Sequence, residues 1–327
     1  MSSMKKVKIS LLIFALVIVV VAIFIWVSSY INSYQQESVR SESASENYKR
    51  DVPIIQDVPR DAIPPLDFPK YETVKEVDVW LLSSDFVIGV TIEGDARAYP
   101  VKIMNWHEIV NENISGKEIV VTYCPLCNSA VVFERNLGSQ LLSFGNTGSL
   151  YESAMVMYDH ETESYWYQVN GEALSGVLAG QRLIIFPSVF TTWGQWQDKW
   201  PDTKVLSLNT GYKRNYLRNP YVGYDEPNSS PAFPVSISSD LLPPKERVVG
   251  ISVNGINKAY PTKQLQGKTV TDQVGNTAIE IVGSPTGMSA EVFFVDGDRG
   301  SRILAPSTSS FWFAWYAAYP DTELYGI

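Results

Sequence analysis

The most chemically capable segment of this sequence is Cys124-Pro-Leu-Cys127. Two thiols separated by two residues can close a small disulfide ring, bind one soft metal ion, or act as a nucleophile and its resolving partner once a thiolate is stabilised. The strand-like run Lys117 to Tyr123 leads into the motif. Pro125 suits the first turn of a helix, where free N–H groups and the positive dipole end would favour a thiolate at Cys124. A structural disulfide is the plain alternative, and an oxidising compartment would permit it. Covalent c-type haem is disfavoured because Asn128, not His, follows Cys127.

Few other residues can assist. The 327-residue chain has only 2 Cys and 2 His, too few for a disulfide framework, a closed all-thiolate zinc site or a His-rich metal store. His107, in Asn105-Trp-His-Glu108, suits a third metal ligand or a base that activates a thiol, and equally a hydrogen-bonded core residue beside Trp106. His160 follows Tyr158-Asp159 in a segment with Glu161 and Glu163 and reads as an exposed turn. Were all four to converge, Cys124, Cys127, His107 and His160 would match a two-Cys, two-His zinc site or an exported copper site. There is no Gly-rich phosphate loop, Gly-x-Ser-x-Gly elbow or His-Glu-x-x-His, so nucleotide, hydrolase and metalloprotease readings lack support.

The elements that position these residues come in two similar sets. Val87 to Pro100 aligns with Val248 to Pro261 at a constant offset of 161, with six of fourteen positions identical. Each stretch reads as two strands around a turn at Glu93-Gly94 or Asn254-Gly255. A second correspondence, at an offset of 119, matches Trp193, Trp196 and Trp200-Pro-Asp-Thr203 with Trp312, Trp315 and Tyr319-Pro-Asp-Thr322. These spacings, behind Thr191-Thr192 or Ser309-Ser310, describe a capped helix with aromatics on one face, and their recurrence suggests buried packing rather than a sugar platform. Carrying the first offset forward without gaps pairs Val131 with Val292 and Phe133 with Phe294. It also sets Pro285 to Met288 against the cysteine motif and Lys268 against His107. The first copy has about 42 additional residues, which include Phe144-Gly-Asn-Thr-Gly148 and Met155-Val-Met-Tyr-Asp159. Every Cys and His lies in this copy, so the shared features read as scaffold and the unshared ones as candidates for function.

The N-terminus reads as a membrane anchor. Lys5, Lys6 and Lys8 precede 17 uninterrupted apolar residues from Leu11 to Val27. With Ile9 and Ser10 included, a rise of about 1.5 Å per residue nearly spans a hydrocarbon core of about 30 Å. The lysines should stay inside, leaving the C-terminal 300 residues outside the cytoplasm. A cleaved signal peptide is the competing reading, but no small-x-small site follows. The exported portion carries 35 acidic and 23 basic side chains, and the body has no basic cluster, so nucleic acid is not an expected partner. Ser-rich and then Pro-rich composition makes 28–70 an expected extended stalk.

The quoted stretches together resemble one family. Ala98-Tyr-Pro100, Asn105-Trp-His-Glu-Ile-Val-Asn111, Val121-Thr-Tyr-Cys-Pro-Leu-Cys127, the Phe144-Gly segment and Met155-Val-Met-Tyr-Asp159 with Thr162 and Trp166 look like the domain-of-unknown-function family 3179. The family has no settled activity. Selenocysteine in the two-Cys motif of some relatives would imply redox chemistry, because a selenolate mainly improves a nucleophile. The resemblance also places His107 inside a motif and His160 at a variable position, and where relatives commonly have Gly it expects a local loop adjustment at Asn128.

The sequence therefore predicts a strand-rich α+β protein, a duplicated unit with a degenerate second copy, preceded by one N-terminal transmembrane helix. The expected segments are a cytoplasmic tail (1–8), the anchor (9–27), the stalk (28–70), a first repeat with the CxxC motif and insertion (71–212), a Pro-rich connection (213–246) and a degenerate second repeat (247–327). The expected location is the cell membrane, single-pass, with the N-terminus cytoplasmic. Thiol–disulfide chemistry at Cys124 and Cys127 with His107 as nearby base is the leading expectation. Copper or zinc binding by Cys124, Cys127 and His107 is the first alternative. A non-catalytic cell-surface interaction protein with a structural disulfide is the second. A thiol-bearing or metal-bearing exported protein is the expected partner.

Overall fold

A computed structural model describes residues 53–295 and 301–326. The anchor at 9–27, the cytoplasmic tail and most of the stalk lie outside the described residues. No helix among those described is long and apolar enough to cross a membrane.

The body is α+β and strand-rich, with short helices. Strands β1 (Phe86–Ile92) and β2 (Asp95–Pro100) form the first hairpin, and α1 (Val101–His107) follows directly. The meander β3 (Ile109–Ile114), β4 (Lys117–Cys124) and β5 (Ser129–Glu134) comes next. The inserted residues build a separate sheet around β6 (Phe144–Tyr151), β7 (Ala154–Asp159) and β8 (Tyr165–Tyr167). The chain then returns through β9 (Val189–Thr192), α2 (Trp193–Lys199) and β10 (Lys204–Leu206), which pairs parallel to β2. The C-terminal part runs β11 (Arg247–Val253), β12 (Ile256–Pro261), a single 3₁₀ turn at Thr262–Leu265, β13 (Thr269–Val274), β14 (Thr277–Gly283) and β15 (Ala290–Val295). It ends in β16 (Thr308–Phe311), α3 (Trp312–Ala318) and β17 (Glu323–Leu324).

The two halves use the same hydrogen-bond registers. Phe86 pairs with Thr192 and Arg247 with Phe311; Arg97 pairs parallel with Lys204 and Lys258 with Glu323. Each half sets a tryptophan ring on a strand glycine. A Cβ on Gly89 would lie 2.2 Å from the Trp196 ring, and one on Gly250 would lie 2.2 Å from the Trp315 ring. No side chain larger than hydrogen fits there without displacing the ring. Trp196 Nε1 donates to Thr203 Oγ1 at 3.0 Å and Trp315 Nε1 to Thr322 Oγ1 at 2.8 Å. The repeated aromatics are thus core residues whose polar edges are satisfied.

The ungapped pairing slips by one residue after the first hairpins. Seven-residue α1 is replaced by a four-residue 3₁₀ turn, and the whole stretch from the hairpin to the next strand is seven residues (262–268) instead of eight (101–108). From β13 onward the offset is therefore 160. Val121 pairs with Val132 where Ile281 pairs with Val292, and the Tyr123 N–H donates to Glu108 O where the Gly283 N–H donates to Lys268 O. Cys124 thus stands opposite Ser284, Cys127 opposite Gly287, and Glu108, not His107, opposite Lys268.

Two boundaries also move. Residues 53–70, expected as the outer end of a stalk, lie against the body. Ile55 and Gln56 pair with Leu150 and Ser149, buried Leu66 bridges to Val110, and the Tyr158 hydroxyl donates to Asp61 at 2.7 Å. Proline stiffness shapes this stretch, but backbone hydrogen bonds to Gly148 and Asn146 hold it in place. The connection at 213–246 has no regular element, yet it packs across the first half, burying Tyr216 and bringing Ser236 against Glu152.

Candidate functional site: a buried dithiol turn

The Cys124–Cys127 motif closes the hairpin between β4 and β5. Cys124 pairs with Ser129, and residues 125–128 form the turn. The helix expected after Pro125 is absent, because the chain reverses at Asn128, whose φ of 49° lies in the left-handed region. Glycine takes that conformation freely and asparagine tolerates it. Cys124 consequently has no helix dipole to stabilise a thiolate. Asn128 adds a tether, since Tyr123 donates to its Oδ1 at 3.0 Å.

Both cysteines are free and buried, at 1% and 0% exposure. Strand alternation explains their direction. Val120 and Cys124 face the core shared with Val131, Phe144, Met155 and Phe311, whereas Val121 and Tyr123 face the core that holds Met104 and Tyr216. The Cys127 thiol lies 3.1 Å from Ser129 Oγ, Ser129 Oγ donates to Gln168 Oε1, and Gln168 Nε2 donates to Thr122 Oγ1 at 2.8 Å. With the Ser129 proton committed to Gln168, the Cys127 thiol is the donor to Ser129. From the C-terminal half, the Phe311 N–H donates to Cys127 O at 2.8 Å and pins the turn from outside.

Electrostatics single out Cys124. Burial pushes its thiol well above the ordinary range, and the neighbouring Cys127 side chain pushes it further; backbone hydrogen bonds from Met155 and Cys127 act in the opposite direction. The resting site thus holds a thiol rather than a thiolate. The carboxyl that senses Cys124 belongs to Glu108. Its own pKa is driven well above the carboxylate range, first by burial and then by the Cys124 charge, while a hydrogen bond from Asn146 Nδ2 at 2.8 Å favours ionisation. Glu108 is the left-handed C-cap of α1, at φ 59°, with its N–H donating to Met104 O at 2.8 Å. A non-glycine residue in this conformation costs of order 1 kcal/mol, and this one carries the buried acid.

His107 is held elsewhere. Pro64 O, 2.8 Å from Nδ1, can only accept, so Nδ1 carries the proton and Nε2 accepts from the Tyr216 hydroxyl at 2.7 Å. Burial lowers its pKa, consistent with a neutral ring locked between the 53–70 stretch and the 213–246 segment. His160 is exposed, with its ring 4.9 Å from Tyr158. Among the described residues no three His, Cys, Asp or Glu side chains converge as a metal site. Cys124 and Cys127 come together as expected, and neither histidine joins them. Glu108, Asn146, Ser129 and Gln168 were not singled out from sequence. Glu108 lies within the Trp-His-Glu motif and Asn146 within the Phe144-Gly segment, so motif membership was the available signal.

Fold and site together define a strand-rich α+β protein with a buried dithiol in a hairpin turn. The chain belongs to the family described as Protein of unknown function (DUF3179), which matches residues 60–322. No curated protein and no solved structure matches the chain.

Proposed function

We propose that the protein is a membrane-anchored, extracytoplasmic thiol–disulfide exchange protein built from a duplicated unit, with only the first copy chemically competent. The observation that carries this reading is a pair of free, buried thiols at one hairpin turn, with the buried Glu108 carboxyl electrostatically coupled to Cys124. A carboxyl with a raised pKa is a stronger base when ionised, which suits it to accept a proton that a buried thiol holds tightly. Asn146 steadies the carboxylate form.

In the forward direction Glu108, having first released its own proton, takes the Cys124 proton, and the Cys124 sulfur attacks a partner disulfide. One partner sulfur leaves and takes a proton, giving a mixed disulfide. Cys127, released from Ser129, attacks the Cys124 sulfur, and the second partner sulfur leaves with the Cys127 proton. The partner disulfide gains two electrons, and the Cys124–Cys127 pair supplies them as its own S–S bond forms. Oxidation of a partner dithiol is the reverse sequence.

The test uses the full chain in detergent. Cys127→Ser should accumulate a mixed disulfide through Cys124 when given a disulfide peptide, seen as an added mass removed by reductant, and Cys124→Ser should not. Absence of any adduct, with stoichiometric zinc or copper in the gently purified protein, would replace this reading with metal binding.

A further inference from the structure

A cleft of about 310 Å³ opens beside the dithiol turn, with Pro125 and Asn128 in its wall. Its apolar lining includes Phe86, Tyr123, Phe190 and Phe311. Across from the turn stand Asn219 to Asp225 of the 213–246 segment. In this lining Arg247 has an unusual arrangement. Its side chain is only 15% exposed, and Nη2 meets Asp225 at 3.2 Å. Nη1 is buried without a hydrogen-bond partner. The guanidinium centre lies 5.5 Å from the Phe86 ring and 5.6 Å from the Phe311 ring. A guanidinium held near two aromatic rings with one nitrogen unspent leaves donor capacity for an oxygen ligand once a small shift of the cleft wall opens Nη1, which is closed to solvent here. Leaving such a donor buried and unpaired costs about 1–3 kcal/mol, which a ligand oxygen would recover. Asp225 is more than half exposed and engages only the other nitrogen.

The charged side chains of the cleft lining are Arg247 and Asp225. The exported portion is acidic, yet Lys213, Arg214 and Arg218 all lie in the segment that leads to the cleft wall, and all three are exposed. We infer that this cleft binds a carboxylate carried on an apolar or aromatic group of the disulfide substrate, with Arg247 Nη1 donating to it and the aromatic walls packing the rest. This rests on the thiol–disulfide reading for its purpose. Binding itself requires neither cysteine, so it can be measured without them.

The probe is nitrobenzoate, with uncharged nitrobenzamide as control, titrated by quenching of intrinsic fluorescence into the full chain carrying Cys124→Ser and Cys127→Ser. Nitrobenzoate should bind more tightly than nitrobenzamide. Arg247→Gln should weaken the anion about tenfold, equivalent to about 1.4 kcal/mol, and leave the amide unchanged. Asp225→Asn, which removes the competing carboxylate at an exposed position, should tighten the anion. If Arg247→Gln fails to fold, the Asp225→Asn result decides. No nitrobenzoate binding, equal effects on acid and amide, or no tightening in Asp225→Asn would each overturn the inference. With the cysteines intact, dithiobis(nitrobenzoate) should react faster than uncharged dithiodipyridine, and Arg247→Gln should erase that preference. If both reagents are inert while nitrobenzoate still binds through Arg247, the exchange reading fails and the cleft assignment stands.

Discussion

The turns at Cys124–Ser129 and Ser284–Ser289 close equivalent hairpins and share a proline at their second position, but only one could carry out thiol chemistry. The first turn is buried between the inserted sheet and β16, and the charge state of its Cys124 is felt by the buried Glu108 carboxyl. In the second turn Ser284 and Gly287 replace the sulfurs, and Lys268 replaces the acid. Ser284 there spends its hydroxyl on the turn itself, accepting from the N–H groups of Met288 and Ser289 at 3.2 Å each. The scaffold, by contrast, is retained in both halves, down to the tryptophan on its glycine. On the exchange proposal, chemistry would depend on a handful of substitutions and one insertion placed over a frame that is indifferent to them.

That comparison can be broken or sharpened by substitution. The largest expected effect is on exchange: Cys124→Ser or Cys127→Ser should abolish turnover of a disulfide substrate, whereas Ser284→Ala in the second turn should leave its rate within twofold. Comparable rates for all three would remove the asymmetry. Next, Gly89→Ala and Gly250→Ala should each destabilise by about 1–3 kcal/mol or more in denaturant unfolding, because a methyl group enters the ring of Trp196 or Trp315. A large cost in one half only would mean the frames are not equivalent.

His107→Ala should cost about 1–3 kcal/mol, since it strands Pro64 O and the Tyr216 hydroxyl, while the oxidation rate of the thiols should hardly change. A rate loss at unchanged stability would return His107 to the site. Glu108→Gln should slow exchange at neutral pH and alter the pH dependence of stability. The folded-state pKa of Glu108 is raised, so its stabilising contribution is complete below the ordinary carboxyl value of about 4.3 and is lost as pH rises toward the folded value. Thermal unfolding should accordingly show Glu108→Gln more stable than the parent at pH 8 and no more stable at pH 4; the reverse order would contradict a buried acid. The smallest effect is expected for Asn128→Gly, about 1 kcal/mol, because glycine accepts φ 49° at no steric cost and that relief offsets part of the loss of the buried Tyr123 hydrogen bond.

Much of the frame was legible in the sequence, because periodic apolar residues, Asn254-Gly255 and the recurring tryptophans report local geometry. The family was legible from contiguous motifs. The one-residue slip was not, since an α-helix and a 3₁₀ turn differ in length by an amount that ungapped comparison ignores. The cysteines stood out by scarcity, and scarcity wrongly recruited His107. Whether a histidine serves a site or a core depends on partners such as Pro64 and Tyr216, which lie 43 and 109 residues away in sequence. Glu108 was hidden for a related reason: it is an ordinary surface-type residue whose significance comes from burial and from Asn146, 38 positions later. The packing of 53–70 escaped notice because proline-rich composition reports backbone stiffness and is silent about which surface the stiff chain lies on.

The central claim is that the two thiols of the first turn react as a pair. Mass-resolved alkylation of the folded full chain, before and after brief exposure to a disulfide peptide, tests it directly. The account predicts two reduced cysteines before exposure, none after it, a Cys124–Cys127 link in the digest, and one equivalent of reduced peptide released. Two cysteines that remain reduced after exposure, and alkylate only once the chain is unfolded, would contradict it.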